Sequence, residues 1–311
     1  MSPGMDARRT LEPVIAALNA IVLGKDRQIR LAVACLMARG HLLIEDLPGV
    51  GKTTLAQALA RTLGLSYQRV QFTSDLLPAD IIGVSVFDRD SGRFEFRRGP
   101  VFTQLLLADE VNRATPKAQS ALLEAMEERQ VTVDGHTHPL PEPFFVVATQ
   151  NPSYQLGTYP LPESQLDRFL MRIDLGYPDP THERELLRGR DRRELLGELQ
   201  PALTTETLRA LQALVPQLHV AEPLLDYVQA LVRRTRDSGL FEAGLSPRAA
   251  ISLLRASQAW ALCHGRTGVL PEDVQAVARA VIGHRLQLRT AVDGDRAADL
   301  DGLLLQAVAV P

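Results

Sequence analysis

The chain has 311 residues, 45% hydrophobic and 23% charged, which is typical of a globular protein with room for two domains. Its formal net charge of −3 disfavours nucleic acid as a partner of the whole chain. No apolar run is long enough to cross a bilayer, and residues 1–9 lack the apolar core of a signal peptide. We therefore expect a cytoplasmic protein without membrane insertion, in which Cys35 and Cys263 are structural thiols.

Apolar residues at helical spacing predict helix from Leu11 to Arg39, with a break at Ile21–Gly24. The break places apolar side chains and a glycine just ahead of an apolar strand. Two interpretations stay open for this turn. It lines a pocket for adenine, or it is a plain turn between two helices.

Residues 41–54 run from an apolar strand through a Pro/Gly turn into a helix. Such a turn directs several backbone N–H groups and the positive end of the helix dipole to one point, which favours a polyphosphate. Lys52 can reach the β- and γ-phosphates, and the Thr53 hydroxyl can bind Mg²⁺. Asp46 stands where the usual phosphate-loop motif has its first glycine. The predicted nucleotide-binding residues are Pro48, Gly49, Val50, Gly51, Lys52, Thr53 and Thr54.

Two acids follow the apolar stretch Leu105–Ala108. A buried strand that ends in Asp109 and Glu110 brings both carboxylates to the carboxyl edge of a parallel sheet, where ligands bind. We expect Asp109 to hold Mg²⁺ through water. Glu110 is placed to orient or deprotonate an attacking water.

Two hairpins are predicted beside the main strands. A second strand covers Tyr67 to Phe72, and segments 84–87 and 93–96 alternate around a turn at 90–92. Residues 130–135 indicate a smaller hairpin that carries His136 and His138. This His-x-His pair can bind metal, but an exposed hairpin tip is the favoured interpretation.

Another apolar strand, Phe144 to Ala148, leads into polar residues that end at Asn151. At the same sheet edge as Glu110, this amide can hold the attacking water or sense a γ-phosphate. The alternative is an Asn that merely ends a strand. Arg168, ahead of the last predicted strand (170–175), can reach the nucleotide of a neighbouring subunit, or it is a surface residue.

Residues 177–180 mark a break in composition, and the pattern beyond them is helical throughout. Ser246 and Pro247 suit the start of a helix, but Arg248 then lies at the positive end of its dipole. An anionic partner or full solvation would offset that cost, and we favour a nucleotide phosphate. The predicted helices cover 183–196, 206–214, 222–236, 247–264 and 271–288.

Together these residues resemble the MoxR family of AAA+ ATPases, within the branch that includes the magnesium chelatase ATPase subunits. The resemblance extends from about Leu11 to Leu305, and an acid at position 46 is typical of the family. Five stretches in this order carry it: 45–53, 109–114, 148–152, 166–169 and 245–249.

The resemblance implies an α/β fold, with a five-stranded parallel phosphate-loop core followed by a smaller all-α lid. It divides the chain into a core at residues 1–180 and a lid at 181–311. It also implies two β-hairpin inserts in the core, at about 84–97 and 130–140, that usually face the pore of a ring and contact substrate.

It further implies roles for the residues identified above. Lys52, Thr53 and Asp109 bind Mg-ATP, and Glu110 is the catalytic acid/base. Asn151 is the first sensor, and Arg168 acts as an arginine finger in trans. Arg248 is the second sensor, on the lid. The assembly implied is a homo-oligomer, a hexameric ring.

Three functions are compatible with these features. The first, an ATP-driven chaperone that remodels or activates a client protein, fits the family best. The family often works with partners that carry a von Willebrand factor A domain. The second is a nucleotide-gated scaffold with little turnover. The third is a nucleic-acid motor of the related helicase branch, which the acidic balance disfavours.

Overall fold

The structure is a computed structural model that describes residues 3–151, 158–289 and 300–310. A parallel sheet lies at its centre. The strands are β1 (Leu42–Glu45), β2 (Tyr67–Gln71), β3 (Gly83–Asp88), β4 (Arg93–Arg98), β5 (Leu105–Asp109), β6 (Gln130–Val133), β7 (His136–Pro139), β8 (Phe145–Gln150) and β9 (Met171–Ile173). Five of them form the sheet in the order β2-β5-β8-β1-β9, and each neighbouring pair is parallel. The polar residues that follow β1, β5 and β8 therefore share one edge.

Helices cover both faces of this sheet, and β3–β4 and β6–β7 form two hairpins beside it. The helices are α1 (Pro3–Ile21), α2 (Asp26–Met37), α3 (Lys52–Thr62), α4 (Pro78–Ile82), α5 (Pro116–Glu128), α6 (Glu163–Leu166), α7 (Pro180–Arg188), α8 (Arg192–Glu198), α9 (Thr205–Leu214), α10 (Glu222–Asp237), α11 (Pro247–Cys263), α12 (Pro271–Ile282) and α13 (Leu300–Leu305). Short 3-10 helices follow β5, at Val111–Arg113, and α9, at Val215–Gln217. None of the helices in this part of the chain is long and apolar enough to span a membrane.

Alternate side chains of each central strand enter different cores, as the period of a strand requires. Leu42 and Ile44 belong to a core with α1, α2, α3 and the C-terminal helices, whereas Leu43 belongs to a second core with α5. Both faces of the sheet are therefore buried at β1, β5 and β8, which is why these strands are apolar runs without alternation. The first core continues from the sheet into α9 to α12, so the C-terminal helices pack directly on the half of the chain that contains the sheet.

Three predicted elements differ from those observed. A single helix over 183–196 is wrong, because α7 ends at Arg188 and the extended backbone of Gly189 separates it from α8. The helix predicted to reach residue 288 ends at Ile282. The last strand, predicted over 170–175, is confined to Met171–Ile173.

Both cysteines are buried and unpaired by disulfide, as expected of structural thiols. Burial raises the pKa of the Cys263 thiol to about 12, so it stays protonated at neutral pH. Burial raises the pKa of the Cys35 thiol further still. Neither side chain is suited to nucleophilic or metal chemistry.

His41 is buried immediately before β1 and holds the sheet to α5. Its Nδ1 accepts the N–H of Val146 at 3.0 Å, and its Nε2 lies 3.3 Å from the carbonyl oxygen of Met126. Burial lowers the pKa of His41 from 6.5 to about 4. The folded protein therefore binds fewer protons at this site than the unfolded chain between these two values.

Because the unfolded chain binds more protons at His41, the folded protein should lose stability in acid. The free energy of unfolding should fall as the pH falls from about 6.5 to about 4, by roughly 3 kcal/mol at about 1.4 kcal/mol per pH unit. Urea unfolding of His41→Asn should lose this part of the pH dependence, whereas the exposed His219→Asn should keep it. An unchanged dependence in His41→Asn would contradict the assignment.

Candidate functional site

The phosphate loop connects β1 to α3 at the carboxyl edge of the sheet. Gly49 and Gly51 have φ angles of +86° and +98°, the left-handed region that favours glycine. Apart from its chain neighbours, a Cβ at either position would meet no described atom within 4 Å, so the space beside both glycines is open. Gly51 directly precedes the first turn of α3, whose N–H groups have no partner within the helix. The open loop fits a polyphosphate.

Lys52 begins α3 and is buried with its ammonium folded over the loop. Nζ donates hydrogen bonds to the carbonyl oxygens of Asp46 and Leu47, at 2.5 and 3.1 Å. Burial lowers the pKa of Lys52, although the nearby carboxylates of Asp46, Asp109 and Glu110 oppose the shift. An anion in the loop would gain this ammonium as a partner.

Asp109 ends β5 and is nearly buried. One carboxylate oxygen accepts a hydrogen bond from the Thr149 hydroxyl at 2.6 Å. The other accepts one from Arg69 Nη2 at 2.6 Å, across the β2–β5 pairing. Because both oxygens are already hydrogen-bonded, contact with Mg²⁺ through an intervening water, as predicted, suits this carboxylate. Thr53, in the first turn of α3, is the second predicted metal-binding residue.

Glu110 has a left-handed backbone (φ +56°), which is rare for a residue with a side chain. Three side chains hold its carboxylate: Asn151 Nδ2 at 3.0 Å, Gln71 Nε2 at 2.9 Å and Arg113 Nε at 3.2 Å. Strain of this kind concentrates at functional sites, where surrounding contacts fix the conformation. The carboxylate is thus aimed by its surroundings rather than left free in solvent.

Asn151 follows β8 and faces Glu110, as the strand pattern predicted. Its backbone carbonyl accepts a hydrogen bond from Asn112 Nδ2 at 3.0 Å. Its side-chain Oδ1 is buried and has no hydrogen-bond partner among the described residues. A buried acceptor without a partner is costly, so this atom is suited to a water or ligand group at the edge.

A cleft of about 1050 Å³, open mouth included, lies beside the phosphate loop. Its apolar side holds Ile21, Val22 and Leu23, so the structure favours the pocket interpretation of the turn after α1. Another wall is the chain that leaves β9, from Tyr177 into α7. The remaining contributors are Lys25, Gly49, Val50, Gly51, Thr54, Pro178, Glu183, Leu186, Leu187 and Arg192. An apolar slot next to a phosphate loop suits a nucleotide base.

Arg168 and Arg248 lie together at the opposite, amino edge of the sheet. The carboxylate of Glu127, near the end of α5, accepts a hydrogen bond from Arg248 and lies 4.0 Å from Arg168 Nε. The four residues of β1 alone separate the two edges by roughly 13 Å at the rise of a parallel strand. Arg248 therefore has an anionic partner, as its position predicted. That partner is the carboxylate of Glu127 in the same chain, and the phosphate loop of this chain lies at the other edge of the sheet.

This edge forms a strongly cationic basin of about 710 Å³. The lining arginines are Arg39, Arg129, Arg168, Arg248, Arg255 and Arg285. Among them, Arg285 is paired with Asp167 at 2.6 Å. Hydrogen bonding to Arg248 lowers the pKa of Glu127, so this carboxylate stays ionised between the two arginines. The basin suits an anion presented by another molecule.

Both predicted hairpins are present, β3–β4 and β6–β7, and they pack on each other. The rings of Phe96 and His138 stack with centroids 4.2 Å apart. His138 is therefore a packing residue, and no cluster of three potential metal ligands occurs among the described residues. Phe87 and Phe94 pair across β3 and β4 and are 52% and 73% exposed.

Sequence reasoning missed the supporting residues of the site. Arg69 and Gln71 reach the acids only because β2 pairs with β5 in a register that puts Gln71 opposite Asp109. Thr149 and Glu127 act across elements in the same way. The sequence carried one signal for Arg69 and Gln71. They lie in the strand predicted over 67–72, and the end of that strand has to lie at the same edge as the acids if the sheet is parallel.

Comparisons with known proteins agree with this architecture. The family model described as "ATPase family associated with various cellular activities (AAA)" matches residues 41–171, and an AAA lid domain model matches 233–301. The chain is 42% identical to the uncharacterized protein YeaC of Bacillus subtilis, over 98% of this chain and 96% of that protein. It is 40% identical to chaperone MoxR1 of Mycobacterium tuberculosis, over 97% of this chain and 82% of that protein. A crystal structure of a candidate ATPase from Cytophaga hutchinsonii superposes with a TM-score of 0.90 at 36% identity, covering 99% of this chain and 97% of that one.

Proposed function

Because this chain belongs to the MoxR family of AAA+ ATPases, we propose that it binds Mg-ATP, hydrolyses it and uses the cycle as a chaperone for a client protein. One observation carries the proposal. The phosphate loop, the acids Asp109 and Glu110 at the end of β5, and the Oδ1 of Asn151, which has no partner among the described residues, converge at one edge of the sheet.

In the binding step, the loop N–H groups and Lys52 hold the phosphates, and the cleft beside Val22 takes the base. Thr53 and Asp109 are the residues that would hold Mg²⁺, Asp109 through water. The bound ion would neutralise part of the phosphate charge. The open space beside Gly49 and Gly51 supports these assignments.

In the hydrolytic step, Glu110 accepts the proton of the attacking water as the water oxygen bonds to the γ-phosphorus. The bond from that phosphorus to the β–γ bridging oxygen breaks, and ADP leaves. Asn151 offers Oδ1 to hold that water, while its Nδ2 and Gln71 keep Glu110 in place. General base catalysis of this kind typically contributes about 10²–10⁴ in rate.

We assign Arg168 and Arg248 to the site of the next subunit. Their distance from the phosphate loop of their own chain supports this, as does the cationic basin that they share. Positive charge there would stabilise the charge that develops on the transferred phosphoryl group. The homo-oligomer would be a ring, and six subunits is the size that the family resemblance implies.

Client contact is assigned to the β3–β4 hairpin. Phe87 and Phe94 expose aromatic rings that contribute little to the fold, and such rings are favoured at protein interfaces. A partner with a von Willebrand factor A domain is the class of client implied by the resemblance.

Phosphate release separates the proposed ATPase from a nucleotide-gated scaffold. Purified protein with Mg-ATP should release phosphate over many turnovers, and Lys52→Ala should abolish the release because the loop loses its phosphate-binding cation. ATP binding without multiple turnover would favour the scaffold. Stimulation by added DNA would favour a nucleic-acid motor.

A further inference from the structure

Asp46 departs from the usual phosphate-loop motif, and both oxygens of its carboxylate accept hydrogen bonds from backbone N–H groups. Oδ1 accepts the N–H of Leu47 at 2.7 Å. Oδ2 accepts the N–H groups of Leu175 and Gly176, at 2.7 and 2.6 Å. Hydrogen bonds from N–H groups to a carboxylate are among the stronger ones in proteins. A glycine at this position could make none of them.

The segment that Asp46 holds is the exit from the sheet toward the lid. Leu175 is buried after β9, and Gly176 turns the chain with a left-handed φ of +63°. The next residue, Tyr177, begins the outer wall of the nucleotide cleft. The position of that wall therefore depends on where Leu175 and Gly176 are fixed.

A second contact holds the same wall at Tyr177. Lys25 Nζ donates a hydrogen bond to the carbonyl oxygen of Tyr177 at 2.9 Å. On the phosphate side, Lys52 Nζ donates to the carbonyl oxygen of Asp46. One continuous set of hydrogen bonds thus connects the phosphate-binding ammonium, Asp46 and the wall that begins at Tyr177.

We propose that Asp46 is a positioning residue that fixes the base-binding wall against the phosphate loop, so that the cleft discriminates a nucleoside triphosphate from a bare polyphosphate. The inference rests on the proposed function, because it assumes that ATP occupies this cleft. Pre-forming both halves of a site lowers the ordering cost of binding a ligand that contacts both. A ligand that contacts only the loop gains nothing from the wall.

Calorimetric titration of Asp46→Gly with two ligands tests this, each in the presence of Mg²⁺. One ligand is a non-hydrolysable ATP analogue and the other is inorganic tripolyphosphate. The affinity for the analogue should fall by about tenfold, or about 1.4 kcal/mol. The affinity for tripolyphosphate should change by less than about threefold. The added backbone freedom of glycine would weaken both ligands alike, so the ratio of affinities is the informative quantity.

Two further variants keep the test interpretable. Asp46→Asn preserves the side-chain volume and one acceptor oxygen. It should lower the ratio of the affinity for the ATP analogue to the affinity for tripolyphosphate, but by less than Asp46→Gly does. Asp88→Gly removes a carboxylate that also accepts two backbone N–H groups, at the distant β3–β4 turn, and should leave the ratio unchanged.

A ratio that stays at the wild-type value in both Asp46 variants would overturn the inference, whether the two affinities fall together or not at all. A change of the same size in Asp88→Gly would also overturn it. Wild-type protein that binds neither ligand would instead contradict the proposed function itself.

Discussion

Subunits that carry both Lys52→Ala and Arg168→Ala, mixed with wild-type subunits, should lower ATPase activity by more than their share of the mixture, because each disables its own site and also that of its neighbour. Each variant subunit would leave the site of its neighbour without its cation, although that neighbour is wild type. An arginine finger is typically worth roughly 10³–10⁵ in rate, which is about 4–7 kcal/mol. For the same reason, activity per wild-type subunit should rise with protein concentration, since an isolated subunit lacks the finger.

The matched control is the double variant Lys52→Ala/Arg209→Ala. Arg209 also lies beside a glutamate, 3.4 Å from Glu142, but it is outside the cationic basin. Mixtures of this control with wild type should show only dilution. Activity that is independent of concentration, together with simple dilution by Lys52→Ala/Arg168→Ala, would contradict action in trans.

Glu110→Gln should bind ATP with nearly wild-type affinity and lose turnover by about 10²–10⁴. The amide has the same shape, so it can stay between Asn151 and Gln71, but it cannot take a proton from water. Affinity is measured by titration with ATP, and turnover by phosphate release in the same buffer.

Glu124→Gln, which alters an exposed acid of α5, is the control and should retain both properties. Turnover that persists in Glu110→Gln would remove Glu110 from the role of general base. Loss of ATP binding in that variant would show that the carboxylate is needed for the architecture of the site.

The fold was predictable where the pattern is local and repetitive. Apolar runs that end in polar groups predicted β1, β5 and β8, and parallel pairing then required Lys52, Glu110 and Asn151 to share an edge. The break between α7 and α8 was missed because Leu186, Leu187 and Leu195 keep an apolar pattern across Gly189. Such a pattern does not report whether the backbone is continuous, and Leu186 and Leu187 are in fact exposed.

Side-chain contacts between different helices and strands could not be predicted, for a different reason. Arg248 at the start of a helix predicted an anionic partner, but the choice between a phosphate and Glu127 depends on how α11 packs against α5. Arg69 and Gln71 likewise depend on the register of β2 against β5. Such contacts are fixed by tertiary packing, and a single sequence carries no direct signal for them.

The separation of the phosphate loop from Arg168 by the full height of the sheet limits how copies of this chain can assemble. A two-fold dimer can join the carboxyl edge of one copy to the amino edge of the other, and the reverse, only when one self-complementary patch contains both edges. In the proposed assembly the two edges instead belong to separate head-to-tail contacts. Repetition of such a contact gives either a closed ring or an open helical filament. An open filament always leaves its terminal phosphate loop without an arginine, whereas closure gives every loop a neighbour.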